Sequence, residues 1–399
     1  MNIGIDVNCL IFEKAGFGRY TYNLVKNLLK IDQKNHYFLY ASFIRKKNER
    51  KKILTDLVKE TKSKNVTIRI IPIPAAWKEF LGRLPVSLKV FIKDPLDVYF
   101  APHFAGIPKK GFDNMIVAIH DLVFIKYPEH RGRKLSNYYL KRTKQALEQA
   151  KMVIAVSNST KKDLQKYFDL DKKIFVIPEA ATENFRVYKN QKLIAEKTNK
   201  YLPRNIKYLL SVGTLEPRKN LSLIIKAFVL LPNDLKKEYR LVFVGGPGWN
   251  NKMLKETIKN YNLESKVIFT GFADEDVLPY IYNRAAIFIY PSIYEGFGLP
   301  PLEAMASGAP VIVSNCSSLP ELVGRAGVLI DPRNEEELAR SIKQILLSKK
   351  LAKKLSLRGL RQAKKFTWDK AAQETLKVFK KSVQYQHTKE RGGKNQKIF

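Results

Sequence analysis

The chain has 399 residues, a formal net charge of +35, 45% hydrophobic residues and 11% aromatics. That length suits two domains of roughly 100–200 residues each, and the composition is globular, which excludes a fibrous or wholly disordered chain. Two cysteines, Cys9 and Cys316, exclude a disulfide scaffold and a four-thiolate zinc site, and no apolar run approaches the roughly 18–20 residues that cross a bilayer.

The N-terminal run MNIGIDVNCLIF carries no early Lys or Arg, unlike a secretory leader, and reads as a first β-strand at 3–7 in a protein of the reducing cytosol. A helix is expected over 18–29, then strands at 37–42, 66–73, 97–102 and 115–121. A helix at 131–150 precedes a strand at 152–157. Residues 186–206 are polar and weakly periodic and read as a linker. Alternation then restarts, with strands at 208–214, 241–246, 267–272, 285–291 and 310–314, and helices at 220–231 and 250–261 between the first of them. A basic, Leu-rich helical stretch covers 334–365, a further amphipathic helix follows, and the chain closes on a polar, basic tail. Strands alternating with helices predict open, mostly parallel sheets covered by helices on both faces. Two such units in series predict an α/β protein of two Rossmann-like domains facing across a cleft, with ligands beyond the carboxyl ends of the strands. The first domain spans 1–190 and the second 200–367. A helix at about 368–385 packs back on the first, and 386–399 is the tail.

The basic excess is carried by both halves of the chain and leaves three readings: a nucleic acid, an anionic membrane face, or a Lys-rich chain with no specific partner. No zinc-finger, RRM or KH pattern is present, which argues against a specific nucleic acid.

The most informative segment is IYPSIYEGFGLPPLEAMASGAPVIVS (289–314). A strand ends at Pro291 and a loop carries Gly296 and Gly298. Pro300 or Pro301 suits the first helical position, where its missing N–H costs little. A glycine-rich loop opening onto a helix N-terminus offers backbone N–H groups and a partial positive charge, so it is an anion site. Glu295 and Glu303 bracket it. Each alone reads as a loop acid or a complement to the helix dipole; together with the glycines and prolines they form a specific pattern. In SVGTLEPRKN (211–220), Arg218 and Lys219 lie at a strand's C-terminal end. In AGFGRY (15–20), Gly16 and Gly18 permit close backbone approach to an anion or acceptor. Thr21 fills the last position of what would be a full G-x-G-x-x-G, so nicotinamide binding is poorly supported. His120 ends an apolar run and Asp121 follows it. DKK (171–173) and DED (274–276) do not stand at convincing strand ends, so no metal is expected.

EGFGLPPLE, with its two glutamates, resembles the signature of the retaining GT-B glycosyltransferases of family 4. The resemblance extends over most of the chain, through AGFGRY, AIHDLVFIKYPEH (118–130), AVSNSTKKDL (155–164) and SVGTLEPRKN, and is closest to bacterial mannosyltransferase-like members. It implies a metal- and cofactor-free hexosyltransferase using a GDP- or UDP-hexose, with mannose favoured, in surface polysaccharide assembly. Arg218 and Lys219, with Gly16 and Gly18, would serve the donor diphosphate. Gly296, Phe297 and Gly298 would hold the sugar and Glu303 the ribose. Glu295 and His120 would flank the reacting carbon, with Asp121 orienting the loop or His120. A front-face displacement and a covalent double displacement both remain open.

The resemblance also puts a glycan or lipid-linked acceptor on the first domain. Two stretches there, 77–93 and 131–144, mix cations with aromatic and aliphatic residues. Each reads either as a core-facing helix with a basic outer side or as a peripheral attachment to the inner face of the plasma membrane. Rival functional classes are a non-catalytic sugar-nucleotide binder, an inverting transferase or sugar phosphorylase, and a basic nucleic-acid-binding protein.

Overall fold

The computed structural model describes residues 1–12, 16–44, 47–73, 92–104, 112–130, 132–170, 172–248 and 252–394. The chain divides into two compact units. The first joins Met1–Glu179 to a C-terminal segment starting at Trp368, and the second is Ala180–Thr367.

In the first unit the described strands form one parallel sheet: β1 (Asn2–Asp6), β2 (His36–Ser42), β3 (Val66–Ile71), β4 (Val98–Ala101), β5 (Met115–Ile119), β6 (Met152–Ala155) and β7 (Lys173–Val176). Their order is β3-β2-β1-β4-β5-β6-β7. The central strands are apolar almost throughout and buried, because crossover helices cover both faces of a parallel sheet. Tyr99, Met115, Val117, Ile119 and Val153 build the core on one side. The strand order reverses direction between β1 and β4.

The second unit repeats the plan with β8 (Lys207–Val212), β9 (Tyr239–Val244), β10 (Val267–Gly271), β11 (Ile287–Tyr290), β12 (Val311–Ser314) and β13 (Val328–Ile330), ordered β10-β9-β8-β11-β12-β13 and again parallel. The order reverses between β8 and β11. Leu209, Leu241, Phe243, Ile287 and Ile312 anchor its core. Just past β9, Gly245 is required by backbone contact: a Cβ there would lie 2.0 Å from the Gly213 carbonyl oxygen.

Several expectations change. The polar stretch read as a linker contains a helix, Gln191–Thr198, with only Ile194 and Thr198 buried among its residues. One short apolar contact is too little to give a periodic signal. The stretch 334–365 is two helices, Glu335–Leu347 and Lys349–Ala363, divided at Ser348, whose Oγ accepts from Leu351 N at 3.2 Å to start the second. As far as Lys394, the expected tail is the end of a long helix, Trp368–Lys394; 395–399 lie outside the described residues. Its residues up to Arg391 include neither Gly nor Pro, and it packs on the first unit through Tyr20–Trp368 and Phe100–Phe379 ring contacts at 5.9 and 5.4 Å. Strand β5 stops at Ile119, so His120 stands in the loop rather than within the strand.

Candidate active site

Each sheet places a cluster of side chains at the carboxyl ends of the strands flanking its reversal point, where open α/β sheets bind ligands.

In the second unit, β8 runs out into a single tight turn, Pro217–Lys219, and Asn220 (φ 55°) redirects the chain into the helix Leu221–Val229. β11 runs out into the loop carrying Ser292 and Glu295. Ile293 N donates to the Arg218 carbonyl at 3.0 Å, and Ser292 Oγ lies 3.0 Å from the same oxygen, bringing the two loops together. Glu295 lies at the centre. Its Oε2 meets an Arg218 guanidinium nitrogen at 2.7 Å, and its Oε1 accepts from Lys219 Nζ and Ser292 Oγ, both at 2.7 Å. Arg218 Nε donates to Glu216 Oε1 at 3.0 Å, and another guanidinium nitrogen donates to the Tyr294 carbonyl at 2.6 Å. Lys219 Nζ also donates to the Tyr290 hydroxyl.

Glu216, Lys219 and Glu295 are all buried. Two cations and two carboxylates therefore share a dry site in balance, and each charge is compensated by a neighbour. Burial alone would raise the Glu295 pKa, but the Arg218 and Lys219 charges, with hydrogen bonds from Lys219 and Ser292, bring it down to about 2. Burial depresses the Lys219 pKa, and the adjacent Arg218 charge adds to that; Glu295 and Glu216 oppose it.

The loop continues through Gly296 and Phe297 to Gly298, whose φ of 114° suits glycine and which caps the helix Leu299–Ala306. That helix opens on Leu299, and Pro300 and Pro301 follow it, so the prolines occupy the second and third positions rather than the first. They remove two N–H groups from the helix mouth. The cap itself makes no side-chain hydrogen bond. The Phe297 ring packs on Phe366 at 5.8 Å, so its contribution to a ligand comes through its backbone. Glu303 is buried one turn into the helix, and its Oε2 accepts from the Tyr282 hydroxyl at 3.0 Å.

Behind this loop, residues 317 and 318 form a clamp. Glu295 N donates to Ser317 Oγ at 2.9 Å, and Ser318 Oγ donates to the carbonyls of Glu295 and Phe297 at 3.0 and 2.7 Å. Ser317 holds a left-handed φ of 52° to do this, which costs a non-glycine residue on the order of 1 kcal/mol.

In the first unit, His120 is held at both ring nitrogens: Nε2 to the Pro102 carbonyl at 2.9 Å and Nδ1 to Glu179 Oε1 at 3.1 Å. The Tyr20 ring meets the imidazole edge-on at 4.5 Å and Phe17 approaches at 4.8 Å. Asp121 faces the loop instead. Its Oδ1 accepts from Val123 N at 3.1 Å, starting the short turn Val123–Lys126. The carboxylate that orients His120 is therefore Glu179, which the sequence reading did not single out. Gly16 has φ 56° at the N-cap of the helix Phe17–Ile31, and Gly18 is buried in its first turn.

The sequence candidates thus fall into two groups: Arg218, Lys219, Glu295–Gly298 and Glu303 in the second unit, and Gly16, Gly18, His120 and Asp121 in the first. Missed were Glu179, Glu216, Tyr290, Ser292, Ser317 and Ser318. Glu216 was legible as the acid two residues before Arg218; the serines carry no local signal. Among the described residues, no three His, Cys, Asp or Glu side chains converge as a metal-binding group. Asp274 of the DED run is exposed and pairs with Lys200 at 3.0 Å.

Two parallel, doubly wound sheets of this plan are those of the GT-B fold. Among solved structures, sucrose-phosphate synthase from Thermosynechococcus elongatus superposes with a TM-score of 0.74 at 20% identity, covering 96% of this chain and 98% of that one. Anabaena HepE, solved with UDP and glucose, gives 0.72 at 19% identity, covering 96% and 100%. The model for glycosyl transferases group 1 matches residues 193–362, and that for glycosyltransferase family 4 matches 15–181. Escherichia coli O-antigen chain mannosyltransferase B is 30% identical over 313 residues, 75% of this chain and 82% of that protein. The E. coli serotype-specific mannosyltransferase WbdA is 33% identical over 59% of this chain, which spans 29% of WbdA. The chain belongs to glycosyltransferase family 4.

Proposed function

We propose that the chain transfers a hexose, mannose foremost, from a nucleoside-diphosphate sugar to a glycan or lipid-linked glycan in surface polysaccharide synthesis, with retention at the anomeric carbon and without a metal. The observation that carries this reading is the Arg218–Lys219–Glu295 cluster at the switch point of the second sheet. Two fixed cations in a buried setting can stabilise a departing diphosphate with little reorganisation, the role a divalent ion would otherwise fill. Mannose is favoured by the two mannosyltransferase relatives, and the nucleotide donor by the UDP bound to HepE.

In this reading Arg218 and Lys219 hold the diphosphate, the backbone of Gly296–Gly298 holds sugar hydroxyls, and Glu303 holds the ribose. Glu295 stabilises positive charge developing at the sugar. Both of its oxygens are engaged by Arg218, Lys219 and Ser292, which favours front-face displacement over a covalent glycosyl intermediate. His120 contacts the sugar and is not a proton acceptor, because both its nitrogens are already engaged.

Nothing in this reading calls for a nucleic acid. The basic excess serves peripheral attachment to an anionic, cytoplasmic membrane face. In the helix Arg133–Gln149, Leu135 and Leu140 are exposed beside exposed Arg133, Lys134, Lys141 and Lys144. Most of the other basic stretch, 77–91, lies outside the described residues. Among those described, no helix is long and apolar enough to cross a membrane.

The test is a screen of the purified chain against UDP-, GDP- and ADP-sugars, reading nucleotide release, with product anomers assigned by NMR. Release from a GDP- or UDP-hexose with an α-configured product from an α-donor is expected. Release from none rejects the reading, and an inverted anomer rejects retention. Liposome flotation checks attachment: recovery that ignores lipid charge and salt rejects it.

A further inference from the structure

In the second unit, the helix Leu278–Arg284 is fastened at its end to the segment that precedes β8. One Arg284 guanidinium nitrogen donates to Thr198 Oγ1 at 3.0 Å and another to the Pro203 carbonyl at 2.6 Å. Asn283 Nδ2 donates to the Arg186 carbonyl at 2.7 Å, and Asn283 Oδ1 accepts from Tyr188 N at 2.8 Å. Immediately before these two anchors stands Tyr282, buried. Its ring meets Phe185 at 5.7 Å and Phe288 of β11 at 5.5 Å. Packing therefore fixes this phenol before any ligand arrives. Its hydroxyl donates to Glu303 Oε2 at 3.0 Å, across to the helix Leu299–Ala306.

A buried carboxylate needs donors to offset the water it has lost, and a phenol supplies one. The phenol also does something that solvent could not. A carboxylate has about four acceptor positions on its two oxygens, and a glutamate side chain has several rotamers to choose among. A hydrogen bond from a fixed donor selects one rotamer and sets the plane of the carboxylate, so it sets where the other acceptor positions face. A ribose offers two adjacent hydroxyls and a 2′-deoxyribose only one of them. A carboxylate held in place for both is left with an unmet acceptor by the deoxy sugar, whereas one free to turn would adapt to it.

We propose that Tyr282 is a positioning residue: it orients Glu303 toward the paired ribose hydroxyls of the donor nucleotide and so sets the preference for ribonucleotides over 2′-deoxyribonucleotides. This rests on the ribose role proposed for Glu303 above.

The experiment measures UDP, GDP and their 2′-deoxy counterparts by calorimetry on the full chain, as wild type, Tyr282→Phe, Glu303→Ala and the double variant. Wild type should bind its preferred nucleotide roughly tenfold more tightly than the 2′-deoxy form. Tyr282→Phe keeps the ring against Phe185 and Phe288 and deletes only the hydroxyl. It should weaken the ribonucleotide roughly fivefold and leave the deoxy form nearly unchanged, so the preference narrows. Added to Glu303→Ala, it should change nothing further, because two residues acting through one contact are not additive. The double variant also buries no carboxylate short of a donor, so it reads the coupling even where melting curves show Tyr282→Phe alone to be unfolded. Equal weakening of both nucleotides, an unchanged preference in Tyr282→Phe, or a further loss in the double variant overturns the positioning role and leaves the ribose contact standing. A wild type that binds both sugars alike rejects the ribose role of Glu303 and this inference with it, and binding of neither nucleotide rejects the transferase reading as well.

Discussion

The two sheets reverse their strand order at equivalent places, and the chain has put opposite chemistry at each. Between β8 and β11 stand Glu216, Lys219 and Glu295, buried, and Arg218, partly buried, all mutually compensated. Between β1 and β4 stand Phe17, His103 and Phe104, with a carboxylate at the margin. Topology decides where a ligand is met, because the loops diverge at the reversal and leave a crevice. The side chains decide what is met there: a dense set of mutually compensated charges in one unit, a cluster of aromatic rings in the other.

The largest test of that contrast is Arg218→Ala. It removes a cation from the charged site and leaves Glu216 and Glu295 short of a partner, so turnover should fall roughly 10²–10³-fold. Unchanged turnover in a steady-state assay would break the comparison at its charged end. Glu303→Ala should weaken nucleotide binding roughly tenfold by calorimetry, chiefly through the lost ribose contact; an unaltered dissociation constant contradicts that assignment. In the first unit, Glu179→Ala should lower kcat by about tenfold, and Glu179→Gln by less, because the amide still meets the imidazole. Equal losses in the two variants would show that the contact is not what matters.

A pH experiment sharpens the charged side. The folded-state pKa of Glu295, about 2, lies below its ordinary 4.5, so its ionised form favours the folded state. That contribution is complete above about pH 4.5 and is lost as the pH falls toward 2. Glu295→Gln should flatten the acid limb of unfolding free energy over that window, measured by denaturant titration. The smallest effect belongs to Ser318→Ala, which unties two loop carbonyls and should cost about 1–2 kcal/mol of stability, read as a lowered unfolding midpoint.

The sequence carried the sheet–helix alternation well because the buried central strands are near-continuous apolar runs such as Met115–Ile119. It did not carry β7 or β13. Both are short edge strands, paired on one side and only partly buried, so neither stands out from a loop. The charged site was legible because Arg218, Lys219, Glu295 and Glu303 sit at strand ends beside glycines and prolines. Its support was not: Ser317 and Ser318 reach Glu295 across 22 and 23 residues, and Glu179 reaches His120 across 59. Such pairings come from tertiary packing, which leaves no periodic trace along the chain.

The return of the C-terminal helix to the first unit has a consequence for synthesis. Ala180–Thr367 is contiguous in sequence and is synthesised before the segment from Trp368 that completes the first unit. The first unit, begun earlier, must wait for its last element, because Phe379 and Ser382 are buried in it. A nonsense mutation near residue 370 would therefore injure the half of the protein made first and spare the half made second.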